Sequence, residues 1–143
     1  MTQEGKELYK RNHLIKDLCS RLPYEVKAYV KNWSKLDRKY YEGVYTVKSV
    51  YHSLNTVYVC SENGSVEVIL GHDDYIIMPY LFPLSNMTDE QYNEYNNMGY
   101  SVTERGRSMA NYHQIDWFHK NHIDYRNLID ENLAIDATGL NIY

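Results

Sequence analysis

Thr56-Val57-Tyr58-Val59-Cys60-Ser61, then Glu62-Asn63-Gly64, then Ser65-Val66-Glu67-Val68-Ile69-Leu70: two β-rich runs around a turn dipeptide decide how this chain folds. Asn and Gly both tolerate positive φ, as a type I′ turn demands, so 56–61 and 65–70 are expected to pair as an antiparallel hairpin. Val44–Tyr51 and Tyr75–Phe82 carry the same Val, Ile and Tyr bias between short polar breaks. Upstream, Val26, Ala28 and Val30 alternate with Lys27, Tyr29 and Lys31, which predicts a strand over 25–32. Lysines at 27, 31, 35 and 39 also fit a four-residue helical repeat, the competing reading of that segment. Pro79 and Pro83 lack the amide proton of a central strand, which puts the last strand on an edge or ends it there. Five short strands in about 60 residues predict an α+β fold built on a small antiparallel β-sheet or SH3-like barrel.

Helices bracket this region. Leu8, Leu14, Ile15, Leu18 and Leu22 recur at three- and four-residue spacings, an amphipathic helix over 2–22 that Pro23 stops. Thr88 has the features of an N-cap, with Gln91 as capping-box partner, Met87 and Tyr92 as a hydrophobic staple, and Asp89 and Glu90 in the first turn. That helix is expected over 89–97, followed by a polar loop between Gly99 and Gly106. A second helix is expected over 108–120 with Tyr112, Ile115 and Phe118 on one side, and Asp124 is placed to cap a last short turn holding Leu128 and Ile129. The sequence thus reads as one domain, 1–143, with a β region 25–83, an N-terminal helix, and two to three C-terminal helices within 88–131.

Composition narrows the chemistry. With 143 residues, 43% hydrophobic and 24% charged, the chain suits a globular domain, and no apolar run approaches the roughly 20 residues of a membrane span. The charged N-terminus, Met1 to Lys10, does not resemble a signal peptide, so a cytoplasmic protein is expected. Two cysteines are too few for a disulfide framework or a thiolate zinc site. Tyrosine supplies 16 residues against two Phe and two Trp, a bias that suits half-buried recognition surfaces because each hydroxyl wants water or a partner. Residues 1–54 carry 11 Lys and Arg against 6 Asp and Glu, a net of +5, whereas residues 55–143 carry 4 against 13, a net of -9. Kept apart in space, these halves would form a basic face and an acidic one; interleaved, the asymmetry vanishes.

Several side-chain groups merit attention. Lys27, Lys31, Lys35, Arg38 and Lys39 interleave with Tyr29, Trp33, Tyr40 and Tyr41, the combination of cations and stacking faces that a nucleotide or single strand requires. Against that stands a sequence pI near 5.8. His113, Asp116, His119 and His122 follow one predicted helix at spacings that can share a metal, although a solvated helix face gives the same letters and no HExxH motif is present. Asp73-Asp74 after His72, and Asp89-Glu90, are paired carboxylates that a polar turn and a helix start explain equally well. Phosphate-binding glycine loops, a GxSxG elbow and CxxC are absent, so no cofactor is expected, and Cys19 is expected to be buried and inert on the apolar side of its helix.

Three blocks carry a resemblance: Leu14-Ile15-Lys16-Asp17-Leu18-Cys19 into Arg21-Leu22-Pro23-Tyr24; Pro79-Tyr80-Leu81-Phe82-Pro83-Leu84-Ser85 with Met87-Thr88 and Glu90-Gln91; and Asp116-Trp117, Asn121-His122, Asp124-Tyr125-Arg126 and Leu128-Ile129, closing with 133–141. Together they resemble a family of small proteins encoded by phages, prophages and mobile elements of anaerobic gut bacteria. Asn32–Glu42 and Asn97–His113 depart from that family's pattern. The resemblance implies an accessory protein of a mobile element in a bacterial cytoplasm, and no particular activity. The expectation is a non-enzymatic module that binds a host or phage protein, with no membrane role. The alternative is capture of a nucleotide or nucleic acid by segment 27–41 in a homo-oligomer.

Overall fold

The computed structural model describes residues 2–98, 101–102, 108–109 and 112–143. Helix α1 spans Gln3–Arg21, and the Thr2 hydroxyl caps it by accepting from the Gly5 amide at 3.0 Å. Leu14, Ile15 and Leu18 are buried while Leu8 is 48% exposed, so only the C-terminal half of the apolar stripe is seated on the sheet. Pro23 lies in a single 3-10 turn, Leu22–Tyr24, and Glu25 then takes φ 53 to turn the chain into the first strand.

The sheet strands are β1 (Lys27–Ser34), β2 (Lys39–Tyr51), β3 (Thr56–Ser61), β4 (Gly64–Ile69) and β5 (Tyr75–Pro83). After α2 (Asp89–Asn96), a two-residue pairing of β6 (Ser101–Val102) with β7 (Ser108–Met109), and α3 (Tyr112–Lys120), the chain returns as β8 (Ile123–Asp124) and β9 (Ile135–Asp136). The strand order is β4-β3-β2-β1-β5-β8, with β9 also on β5. Val26, Ala28 and Val30 are all fully buried and the strand runs over Lys27–Ser34, two residues later than the expected 25–32, which settles the segment as strand over the helical repeat. They pack with Leu14 and Leu18 of α1, Val47, Val57, Val59 and Val68 of β2 to β4, and Leu81 of β5. Each such side chain contributes about 1.5–3 kcal/mol by leaving water. A second apolar cluster, Trp117, Phe118 and Ile123 with Phe82, Met87 and Tyr95, joins α2 and α3 to the end of β5.

Four expectations need correction. The sheet is open and mixed, with seven strands rather than five and no closed barrel, because β8 and β9 add in parallel to β5. Two-residue strands carry no periodicity that a sequence could reveal. The hairpin pairs β3 with β4 as expected, but its two turn residues are Glu62 and Asn63, neither of which takes positive φ, while Gly64 (φ 129) pairs with Ser61, so the turn is not the expected type I′ turn on Asn63-Gly64. Helix α3 starts at Tyr112 rather than 108 because Ser108–Met109 pairs with Ser101–Val102, and Tyr112 is 72% exposed instead of sharing the buried side with Phe118. No third C-terminal helix forms among the described residues. Asp124 is nonetheless a cap: its two carboxylate oxygens accept from the amides of Leu128 and Ile129, both at 2.9 Å, and hold a chain of turns.

Other expectations hold in the described residues. The Thr88–Gln91 capping box forms in full, whereas the expected staple does not hold, since Met87 packs into the second cluster and Tyr92 is exposed. Over Tyr75–Pro79 the only strand paired with β5 is β1, and Pro83 is its last residue, as its prolines require. The polar loop between Gly99 and Gly106 lies largely outside the described residues. In the sheet, β1 and β2 of the basic half lie between β3 and β5 of the acidic half, so the sequence asymmetry interleaves.

A buried ionic network ties the layers together. Arg21 and Asp17 are both 0% exposed; Arg21 Nε donates to Asp17 Oδ2 at 2.8 Å, and Nη2 donates to the Ile123 carbonyl at 2.7 Å. Arg126 Nε lies 3.5 Å from Asp17 Oδ1 and its Nη2 donates to Tyr125 Oη at 3.0 Å. The same phenol oxygen is hydrogen-bonded to His119 Nε2, 2.7 Å away. Burial, and then the Arg21 charge, push the His119 pKa down in the same sense. Arg21→Met alone leaves Asp17 short of its main counter-charge and is expected to cost about 3–5 kcal/mol in urea unfolding. Asp17→Leu/Arg21→Met together should cost less than that single change.

Candidate functional site

The sheet has one face against α1 and one left open. In β1, odd-numbered residues point to the open face, and register places Lys27 opposite Thr46, Tyr29 opposite Val44, Lys31 opposite Glu42 and Trp33 opposite Tyr40. On the other flank Tyr29 meets Met78 and Lys31 meets Ile76. Tyr40, Val44 and Ile76 are 55%, 44% and 46% exposed, so a continuous strip of aromatic and aliphatic surface crosses three strands. At its base, a shallow depression of about 410 Å³ lies between β1, β2 and the β3–β4 turn.

The structure divides the predicted basic and aromatic segment three ways. Lys27, Tyr29, Lys31 and Trp33 share the open face with Tyr40. Lys39 and Tyr41 lie on the opposite side of β2, and Lys35 and Arg38 sit at the exposed tip of the β1–β2 hairpin beside Leu36, 92% exposed. Strand β2 begins five residues before its expected start because this hairpin pairs out to Ser34 and Lys39. Most of the cations are already engaged. Lys31 Nζ lies over the Tyr40 ring at 4.6 Å, Lys39 Nζ over Tyr41 at 4.8 Å, and Lys27 Nζ donates to the Ile142 carbonyl at 3.1 Å. Tyr29 donates a short hydrogen bond to Glu42, and that bond, then desolvation and the carboxylate charge, raise its phenol pKa to about 12. Trp33 packs edge-on against Tyr40, ring centroids 4.9 Å apart.

The histidine group separates. His113 and Asp116 are exposed and line a cleft of about 430 Å³ with Tyr24, Glu94 and Trp117. His119 is buried against Tyr125, whereas His122, at φ 56, stacks on Tyr143 with centroids 3.6 Å apart. Among the described residues no three His, Cys, Asp or Glu side chains come together as a metal site. His72 and Asp74 close a turn, the His72 ring accepting from the Asp74 amide at 3.2 Å, and Asp89-Glu90 begin α2. Cys19 is exposed rather than buried, since it falls one position beyond the Leu14, Ile15, Leu18 stripe. Desolvation still raises its thiol pKa, which keeps it protonated and a poor nucleophile.

Sequence reasoning missed Asp17, Arg21, Tyr125 and Arg126. The signal was present as an Asp–Arg pair four apart on the apolar side of α1, where a charge has no business unless it is paired. The open face was legible only in its β1 half; the contributions of Val44, Ile76 and Met78 depend on register.

Two titrations check this geometry. Glu42→Gln is expected to bring the Tyr29 phenol back from about 12 toward 10, read by NMR of ring-labelled tyrosine. His122 is held down to about 4, first by burial and then by the charges of Arg21 and Lys27. The unfolded chain therefore binds the extra proton between about 4 and 6.5, and stability should rise with pH across that window. His122→Asn, which tolerates the left-handed backbone, should flatten that slope in urea titrations. Compared with protein-family models, curated proteins and solved structures, the chain matches none.

Proposed function

We propose that this chain is a non-enzymatic protein-interaction module that engages a partner protein through the open face of its sheet and the β1–β2 hairpin. One observation carries the reading: Tyr40, Val44 and Ile76 form an exposed apolar strip on the face away from α1, with Trp33 and Tyr29 beside them. Contiguous apolar surface rimmed by polar groups is how protein contacts are made, and aromatic anchors supply most of their energy. The resemblance to proteins of phages and mobile elements makes a host or phage protein the expected class of partner. Glu42 stands in the middle of the strip, and Lys31 already lies on the Tyr40 ring, which disfavours a phosphate there.

The alternative, a nucleotide or nucleic-acid ligand, is supported by the hairpin tip, where Lys35 and Arg38 are exposed and engage no carboxylate among the described residues. In-cell photo-crosslinking from benzoylphenylalanine at position 40 distinguishes the two. A discrete protein adduct is expected, weakened about tenfold or more by Val44→Asp and missing when the probe is moved to position 8 on α1. No adduct, together with oligothymidylate binding that Lys35→Glu/Arg38→Glu abolishes, would replace the proposal with nucleic-acid capture.

A further inference from the structure

A strand edge lies open beside the apolar strip. The Val47 amide donates to the Val26 carbonyl at 3.0 Å, and the Trp33 amide to the Asp74 carbonyl at 2.9 Å, which sets the phase of both ladders on β1. Main-chain groups alternate in direction along a strand, so even-numbered residues of β1 bond β2 and odd-numbered ones bond β5. The register Val30–Gly43, Asn32–Tyr41 and Ser34–Lys39 then turns the odd-numbered residues of β2 toward β1, and Tyr40, Glu42, Val44 and Thr46 away from it. Strand β3 takes up Thr46 through Cys60 and pairs with β2 no further, because its chain turns back at Glu62 and Asn63 into β4. From Lys39 to Tyr45 the only strand paired with β2 is therefore β1. Among the described residues, the N–H and C=O of Tyr40, Glu42 and Val44 face an edge that nothing covers.

This stretch has no proline, and the bulge of β2 lies outside it, between Val47 and Ser49, so the edge stays straight enough to pair. The same three residues turn their side chains to the open face, Tyr40 and Val44 exposed on either side of Glu42. Charge then selects what fits. An added strand lies one strand spacing, about 4.8 Å, from Glu42, and Lys31 is a further spacing away on β1 with its ammonium over the Tyr40 ring. Glu62 lines the depression at the end where β3 leaves, together with Lys27, whose ammonium is bonded to the Ile142 carbonyl. Lys39 lies over Tyr41 on the opposite side of β2, and Lys35 and Arg38 sit in the hairpin loop past the uncovered residues. Glu42 accepts from Tyr29, and neither it nor Glu62 forms an ion pair among the described residues.

We propose that an extended segment of the partner protein adds to this edge as an antiparallel strand, in line with β3, with a basic side chain opposite Glu42 and apolar ones opposite Tyr40 and Val44. The inference rests on the open-face reading and specifies how the partner is held there, by main-chain hydrogen bonds to Tyr40, Glu42 and Val44 as well as by side-chain contact. A carboxylate at the central position would face Glu42 directly and is disfavoured.

The test uses the full chain and a fluorescein-labelled peptide, Thr-Val-Thr-Lys-Thr-Val-Thr, with two counterparts: one bearing Glu at the centre, and one N-methylated on the central Lys. The Lys peptide is expected to raise anisotropy and to slow hydrogen exchange at the amides of Tyr40, Glu42 and Val44, and the N-methylated form to do neither. The Glu peptide should bind about fivefold more weakly; Glu42→Gln should remove that preference and Glu42→Lys reverse it, with unchanged circular dichroism showing that the fold is intact. No anisotropy change at millimolar peptide, equal binding of the N-methylated form, or unaltered exchange at those amides overturns the proposal. A crosslinked partner at position 40 alongside any of these results leaves the open-face reading standing while strand addition falls; protection of the amides by the peptide without a crosslinked partner does the reverse. A concentration-dependent dimer in sedimentation that protects the same amides also overturns it, since the occupant would then be a second copy of this chain.

Discussion

The rest of the structure is arranged around the Asp17–Arg21 pair, because two fully buried charges tolerate few alternative geometries. Such pairs often add little net stability against an apolar replacement, yet losing one partner strands the other in a medium that cannot solvate it. Here the pair does more than neutralise itself. Arg21 reaches the Ile123 carbonyl, Arg126 approaches Asp17, and both guanidiniums lie within 5.5 Å of the Tyr125 ring centre. The end of α1, the strand β8 and the turns after it are therefore fixed to one another by polar contacts of defined direction. The greasy contacts of the core specify that these parts be close; the ions specify how they are oriented.

That arrangement explains why the two faces of the sheet differ. With α1 and the returning chain on one side, Val and Leu residues there lose their water, while the other side retains Tyr, Lys, Glu and Val in alternating rows. On the exposed side the charges are largely matched within the chain, Lys31 by Tyr40 and its neighbour Glu42, Tyr29 by Glu42. A patch that neutralises itself loses its pull on phosphate but keeps its aromatic area. The abundance of tyrosine follows from this use, since each ring packs on a neighbour while its hydroxyl reaches solvent or a carboxylate.

Much of the fold was readable where a period or a cap has a mechanism. Alternation at Val26, Ala28 and Val30, the Thr88–Gln91 box and the Asp124 cap each depend on residues within a few positions of one another. The misreadings share a different character. A barrel was expected because the sequence shows strands without showing whether the first and last meet, and β8 and β9 are too short to have a pattern. Cys19 was misplaced by a single helical position, about 100° of rotation, which is enough to carry a side chain from the core to the surface. The basic segment looked continuous, but a β-hairpin sends alternate residues to opposite faces, so Lys31 and Lys39 cannot serve one ligand.

By itself, then, the sequence determined the local elements, the antiparallel core from Lys27 to Pro83 and the apolar side of α1, since these follow from spacing along a chain and need no knowledge of distant partners. Only the tertiary structure decided which charges are buried together and which face of the sheet stays open. Those outcomes join residues such as Asp17 to Arg126 and Lys31 to Ile76. Contacts across that much chain are set by the packing of whole layers, where the cost of desolvating an ion or leaving a backbone group unpaired is weighed over the entire fold.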